Sequence, residues 1–366
     1  MSAVQTPLAR TLGAIFFVAI VTFVPVAGQN PTPAPVTINP TFETYLESLR
    51  VQAGIPGLSA AIVKDGEIAW ERGFGYQNVE ARIPATPDTP YPISDISQTF
   101  AATLLLQCVE QRHLELDTPV SKYGATLDDA PGATLRQLLS HSSAALAGDT
   151  FKYDPERFAA LTHVTEHCIP QPYRKSVSHR LLERLAMKDS VPGRDLKDAS
   201  VVEEGTYDPA VLERYAHVLE RLAIAYRLDK RNKPVRSDAT FTDGVNAADG
   251  IISTVRDLAR FDAAIDDAIL VTTDTLAAAW TPALSKDKTP LPMGLGWFVQ
   301  SYRGEPVVWH FGVVPGGYSS LIIKLPAKHA TLILLANSDG LTGPYQLQAG
   351  DVTRSIFANV FLRLFT

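Results

Sequence analysis

The chain has 366 residues, of which 46% are hydrophobic and 20% charged, so it can bury a large core and is neither disordered nor a charged repeat. Lys and Arg number 33 against 39 Asp and Glu, a net charge of −6 with no contiguous basic block, which leaves a nucleic-acid partner without an electrostatic footprint. The one long uncharged apolar run lies at the N-terminus, and that excludes a polytopic membrane protein.

Arg10 precedes the apolar stretch 12–26, and the small residues Ala27 and Gly28 follow. Residues 1–28 read as a secretory signal peptide, giving a secreted or periplasmic protein. Left uncleaved, the segment is a membrane anchor, although its run of about 15 apolar residues falls short of the roughly 20 that span a bilayer. Residues 29–41, with Pro31, Pro33, Pro35 and Pro40, read as an extended tether, and 42–366 as the folded domain.

Tyr45, Leu46 and Leu49 give helical spacing over 42–51. Two β-like runs follow at 57–63 and 67–74, joined by Asp65-Gly66, a strong hairpin signal. Helices are expected at 96–110, 135–140, 156–167, 176–186, 210–228 and 254–264. Strands in antiparallel succession are expected at 295–300, 307–310, 319–324 and 331–336, then a last amphipathic helix at 351–364. Strands near both ends with helices between them imply one sheet built from both termini and a helical lobe at roughly 95–250.

Cys108 and Cys168 are the two cysteines. Cys108 sits in an apolar run, where a small buried hydrophobe is the simpler reading, and sequence leaves their pairing open. There is no C-x-x-C and no H-E-x-x-H, so neither a metal nor another cofactor is expected.

Nucleophilic hydrolysis of the S-x-x-K type needs a serine at a helix start and a lysine one turn later, where positions i and i+3 share a face. Six segments bear on this: YPISDISQTF at 91–100, LLSHSS at 138–143, LAMKDS at 185–190, GIISTVRDLARF at 250–261, GLGWF at 294–298 and HFG at 310–312. In order and spacing they resemble the class C β-lactamase and penicillin-binding-protein-like serine hydrolases over nearly the whole mature chain. The resemblance implies an α+β, β-lactamase/transpeptidase-like fold: an antiparallel sheet flanked by helices, an all-helical lobe, and a serine site in the cleft between them.

Carried over position by position, the resemblance puts Asp95 where the nucleophilic serine belongs and Gln98 where the lysine belongs. Tyr153-Asp154-Pro155 matches the Tyr-x-Asn motif, with the proton-shuttling tyrosine kept and the substrate-contacting amide replaced by Pro155. His310-Phe311-Gly312 matches the H-x-G form of the third motif, and Gly312 would let a substrate backbone approach. Neither Ser94 nor Ser97 has a lysine at i+3, and a one-residue shift at a helix start swings the side chain by about 100°. Asp95 followed by Gln98 also fits a capping box. His141 reads as a turn residue; Glu203-Glu204 and Lys230-Arg231 read as solvated loop charges.

The expectation is an exported binding homologue with a degenerate hydrolase centre, whose ligand is a cell-wall peptide, a small acyl compound or a protein partner. The alternatives are a serine hydrolase (esterase, D-peptidase or β-lactamase) with an unrecognised nucleophile, and a structural partner-assembly domain.

Overall fold

The structure, a computed structural model, describes residues 1–3, 40–143, 150–198, 200 and 206–366. Nearly all of the expected signal peptide and tether, and Glu203-Glu204, fall outside these residues.

Helix α1 (Pro40–Gln52) leads into β1 (Gly57–Lys64) and β2 (Glu67–Asn78), then a two-residue strand β3 (Ile83–Pro84). Asp65 and Gly66, between β1 and β2, have φ of 52° and 81°, the left-handed pair that a tight two-residue hairpin requires. The chain then leaves the sheet through β4 (Tyr91–Pro92), α2 (Ser97–Glu110), α3 (Leu135–Leu139), α4 (Pro155–Ala159), α5 (Leu161–Cys168), α6 (Tyr173–Val177), β5 (Val191–Pro192) and α7 (Pro209–Glu220). After β6 (Tyr226–Leu228), β7 (Pro234–Arg236), β8 (Ile251–Ser253), α8 (Val255–Asp266) and α9 (Thr273–Ala279) it returns as β9 (Phe298–Tyr302), β10 (Glu305–Val314), β11 (Tyr318–Leu325) and β12 (Ala330–Ala336), and ends in α10 (Ile356–Phe365).

The seven-stranded sheet runs β3-β2-β1-β12-β11-β10-β9, so strands from the two chain ends meet where β1 pairs antiparallel with β12. Alternation along these strands feeds two cores. Leu58, Ala60 and Ile62 of β1 join Leu332 and Leu334 of β12 beneath α1 and α10, against Phe42, Leu46, Phe357 and Phe361. Ala61, Val63, Ile333 and Leu335 point the other way, to Leu258 and Phe261 of α8 and Phe100 of α2. The Phe100 and Phe261 rings stack 3.9 Å apart. With both faces covered, β12 is buried along its length and reads as a continuous apolar run.

Two of the segments that carried the resemblance hold each other. Val191 pairs with Ile252, the Ser190 and Ser253 hydroxyls lie 2.8 Å apart, and Asp257 accepts from the Asp189 N–H at 2.8 Å and the Ser190 hydroxyl at 2.9 Å. Thr254 caps α8 by accepting from the Asp257 N–H. Ser190, Ser253, Thr254 and Asp257 are fully buried and partnered, so they work as structural ties.

Several expectations are corrected. The helix begins at Pro40, two residues inside the expected tether. The helix expected at 156–167 is two, α4 and α5, with Ala160 between them, and that expected at 210–228 stops at Glu220, after which Tyr226–Leu228 is a strand. The lobe expected to be all-helical holds the short strands β5, β6 and β7. The first returning strand starts at Phe298 rather than 295, and the last helix at Ile356 rather than 351. Cys108 is not a lone hydrophobe: it is disulfide-bonded to Cys168, with their Cα atoms 6.3 Å apart, which ties the ends of α2 and α5 together. The bond closes a loop over a sequence separation of 60. A Cys108→Ser/Cys168→Ser variant should therefore lose about 2–4 kcal/mol of stability by urea unfolding; a change within a few tenths would show that the helices hold their positions without the bond.

Candidate active site

Asp95 sits in a 3-10 turn, Ser94–Ile96, that feeds directly into α2. Ser94 has φ of 49°, a left-handed backbone uncommon for a residue with a Cβ, so the chain is held under strain as it turns into the helix. The turn packs against β10, which β9 pairs only as far as Trp309. From His310 onward the outer edge of β10 has no partner from β9, and the turn occupies it: the Ser94 hydroxyl donates to the Val313 carbonyl at 3.2 Å. Gly312 makes this approach possible, since a Cβ there would collide with the Ile93 carbonyl and the Ser320 hydroxyl.

The capping box expected from Asp95 and Gln98 does not form. Ile93 and Ile96 occupy the cap positions, and neither helix start has a side-chain cap. Asp95 instead turns across to the sheet, where its carboxyl hydrogen-bonds the Val313 N–H and the Gln98 side chain. Burial, and after it the charge of Asp249, push that carboxyl well above the ordinary range, against the opposite pull of those two hydrogen bonds. Asp249 is itself raised by burial, while accepting from the Thr242 hydroxyl at 2.9 Å and the Gly250 N–H at 2.6 Å.

Gln98, in the first turn of α2, joins two more of the expected residues. The Asp154 N–H donates to His141 Nδ1 at 2.9 Å, so the proton of this neutral imidazole is on Nε2, which donates to Gln98 Oε1 at 2.8 Å. Gln98 Nε2 then donates to the Tyr153 hydroxyl at 3.1 Å. Burial lowers His141 to about 3 and raises Tyr153 well above its usual value, so both are neutral at pH 7. His141, read from sequence as a turn residue, does have a left-handed φ of 50°, but its ring also belongs to this relay.

His310 lies 6.3 Å from Tyr153, ring to ring, with Nδ1 held by the Phe311 main chain and Nε2 buried without a partner. Burial lowers it to about 4. Phe298 and Phe311 close the apolar side of Tyr153 at 5.5 and 5.4 Å. Pro155 is the first residue of α4, where its missing N–H is harmless, and the Asp154 carboxylate caps the same helix through the Arg157 N–H at 3.1 Å. Ser97 accepts from the Ile251 N–H at 3.3 Å, so both serines flanking Asp95 are spent on the fold.

Asp95, Gln98, His141, Tyr153, His310 and Gly312 thus converge on one place. Asp249 and the Val313 N–H escaped the sequence reading. The first lies one residue ahead of a recognised segment without periodicity to mark it, and the second is a backbone group with no side-chain signature. Among the described residues no group of three or more His, Cys, Asp or Glu is arranged to hold a metal ion.

The raised carboxyl makes a pH prediction. The folded chain holds the Asp95 proton more tightly than the unfolded chain, whose carboxyl titrates near about pH 4. The stability this contributes is complete below that pH and is lost as pH rises through the folded-state value. Asp95→Asn cannot ionise and should escape the loss, so its urea midpoint should gain on wild type as pH climbs from 4 to 8. A difference that stays flat over that range would mean that Asp95 titrates as an ordinary carboxyl.

Residues 40–352 match the family described as Beta-lactamase. The chain is 23% identical over 305 residues to the putative penicillin-binding protein PbpX of Bacillus subtilis (strain 168), covering 76% of this chain and 68% of that one. It is 31% identical over 129 residues to the serine beta-lactamase-like protein LACTB, mitochondrial, of Mus musculus, covering 32% of this chain and 23% of the relative, so it spans under a quarter of that protein. In fold it is similar to the octameric penicillin-binding protein homologue from Pyrococcus abyssi, with a TM-score of 0.69 at 24% identity, covering 85% of this chain and 75% of that one. The class C beta lactamase from Rhodobacter sphaeroides has a TM-score of 0.65 at 17% identity, covering 90% and 100%.

Proposed function

The chain belongs to the beta-lactamase family, and from that premise we propose that it is a binding homologue without hydrolase turnover, with Asp95 and Gln98 in the places of the serine and lysine. The observation that carries this reading is the polarity of the His141–Gln98–Tyr153 relay. Both histidine nitrogens are engaged, one accepting and one donating, and Gln98 donates into the Tyr153 oxygen. No member of the relay can take a proton from a nucleophile. The neighbouring serines are committed to Val313 and Ile251, and a carboxylate attacking an ester or amide would give an unstable anhydride while repelling the oxyanion it formed.

His141, Gln98, Tyr153 and His310, all neutral at pH 7, suit an uncharged ligand segment rich in hydrogen-bonding carbonyls, as in a cell-wall peptide or a small acyl compound, rather than a free ion that would have to be desolvated. The Cys108–Cys168 bond supports export, because such bonds persist in oxidising compartments.

The test is intact-mass analysis after exposure to a penicillin and to a fluorophosphonate. No stoichiometric adduct and no saturable ester hydrolysis are expected. An adduct mapped to Ser94 or Ser97 overturns the reading in favour of an active serine hydrolase.

A further inference from the structure

The β6–β7 hairpin gathers Arg227, Lys230, Arg231, Lys233 and Arg236 against a single acid, Asp229, in a chain whose net charge is −6. Strand pairing brings them together: Tyr226 lies opposite Arg236, Arg227 opposite Val235 and Leu228 opposite Pro234. All five cations are exposed, and none forms an ion pair among the described residues, whereas Arg136, Arg157, Arg174, Arg194, Arg221 and Arg256 elsewhere all do.

The local acids do not neutralise the hairpin. Asp229 is within electrostatic reach of Arg227 and Lys233, but its carboxylate folds inward to accept the Arg231 and Lys233 N–H groups at 2.8 and 2.9 Å, which builds the turn. Glu80 is near Arg236 and accepts from the Tyr226 hydroxyl. Leu228, 38% exposed, packs its side chain on Gly54 and so holds the hairpin against the turn between α1 and β1. The hairpin's one aromatic residue, Tyr226, is buried, so it offers no stacking platform to a nucleobase.

We propose that this hairpin docks the protein on an anionic lipid surface. The charges suit phosphate-bearing headgroups, and the acidic remainder of the chain orients the approach hairpin first. This docking is independent of what the site around Asp95 and Tyr153 binds.

The test is partition of the full chain into phosphatidylcholine vesicles with and without 30% phosphatidylglycerol. The apolar run 12–26 could bring the chain to either vesicle, so the hairpin is read from the ratio of anionic to neutral partition. Each surface cation is worth roughly fivefold, so Lys230→Gln/Arg231→Gln/Lys233→Gln should lower that ratio on the order of a hundredfold. Raising salt should do the same, and Arg112→Gln/Lys122→Gln, exposed on another part of the chain, should not. A ratio near one for wild type, or one the triple variant leaves intact, overturns the proposal. Hairpin-dependent binding to soluble polyphosphate without preference for anionic vesicles reassigns the surface to a soluble polyanion and overturns it equally.

Discussion

Asp95→Ser combined with Gln98→Lys should raise the rate at which the chain is labelled by a fluorophosphonate well above that of wild type. The strained Ser94 already sets the start of α2, the Val313 N–H that now serves the Asp95 carboxyl is freed to face an oxyanion, and the side chain at 98 already reaches the Tyr153 hydroxyl. Loss of a nucleophile and its base costs on the order of 10⁶ in rate, and part of that should return. A lysine at 98 meets the Nε2 proton of His141, which only a neutral amine can accept, so labelling should quicken as pH rises. Pro155 supplies no amide to orient a substrate, and misplacement by about 1 Å costs about 10²-fold, so adding Pro155→Asn should speed acylation further. The comparison is the fluorophosphonate labelling rate of wild type, double and triple variants, each checked for folding. If no variant labels above wild type, Asp95 does not occupy the nucleophile's place.

The largest expected stability loss lies at Lys324 on β11. This side chain is 1% exposed; its ammonium contacts Asp262, is 2.9 Å from Asp266, and donates to the Thr331 hydroxyl at 3.3 Å. Asp262 is equally buried. Lys324→Met leaves that carboxylate without its counter-charge, and breaking a buried pair in this way costs about 3–5 kcal/mol. Burial already pushes Asp262 upward, and without the ammonium it is pushed further. Because a raised carboxyl stabilises the fold only while protonated, the deficit should shrink as pH falls toward 4 and widen as it rises. Lys324→Met/Asp262→Leu, which removes both charges, should recover most of the loss. Urea unfolding at pH 5 and 8 decides it; a single-variant loss below about 1 kcal/mol would contradict this pairing.

What could be read beforehand was what repeats locally. The alternation in β1 and β12 sends Leu58, Ala60 and Ile62 to one core and Ala61 and Val63 to the other, and Asp65-Gly66 fixes their first turn. Strands of two residues, such as Tyr91–Pro92 and Val191–Pro192, are too short to show a period, and they form because Ile251 to Ser253 lies between them. Tyr226–Leu228 continued an apolar pattern and read as helix until its pairing with Pro234–Arg236 was known. At the site, the residues that matched a motif did converge. Their neighbours did not announce themselves: local spacing made Asp95 a helix cap, while the group that holds it, the Val313 N–H, lies far along the chain on another strand. His141 looked like a turn residue because its backbone is one, and only the relay shows what its ring does.

The bond between Cys108 and Cys168 makes part of the chain a covalent ring, and that ring contains His141, Tyr153 and Pro155. A protease that cuts once anywhere inside it yields two polypeptides that still migrate as one molecule until a thiol is added. A cut outside it releases a fragment at once. Nicked protein therefore keeps the segment that carries Tyr153 covalently attached to the rest of the chain after the backbone has been severed, and gels run with and without reductant would locate each cut inside or outside the ring.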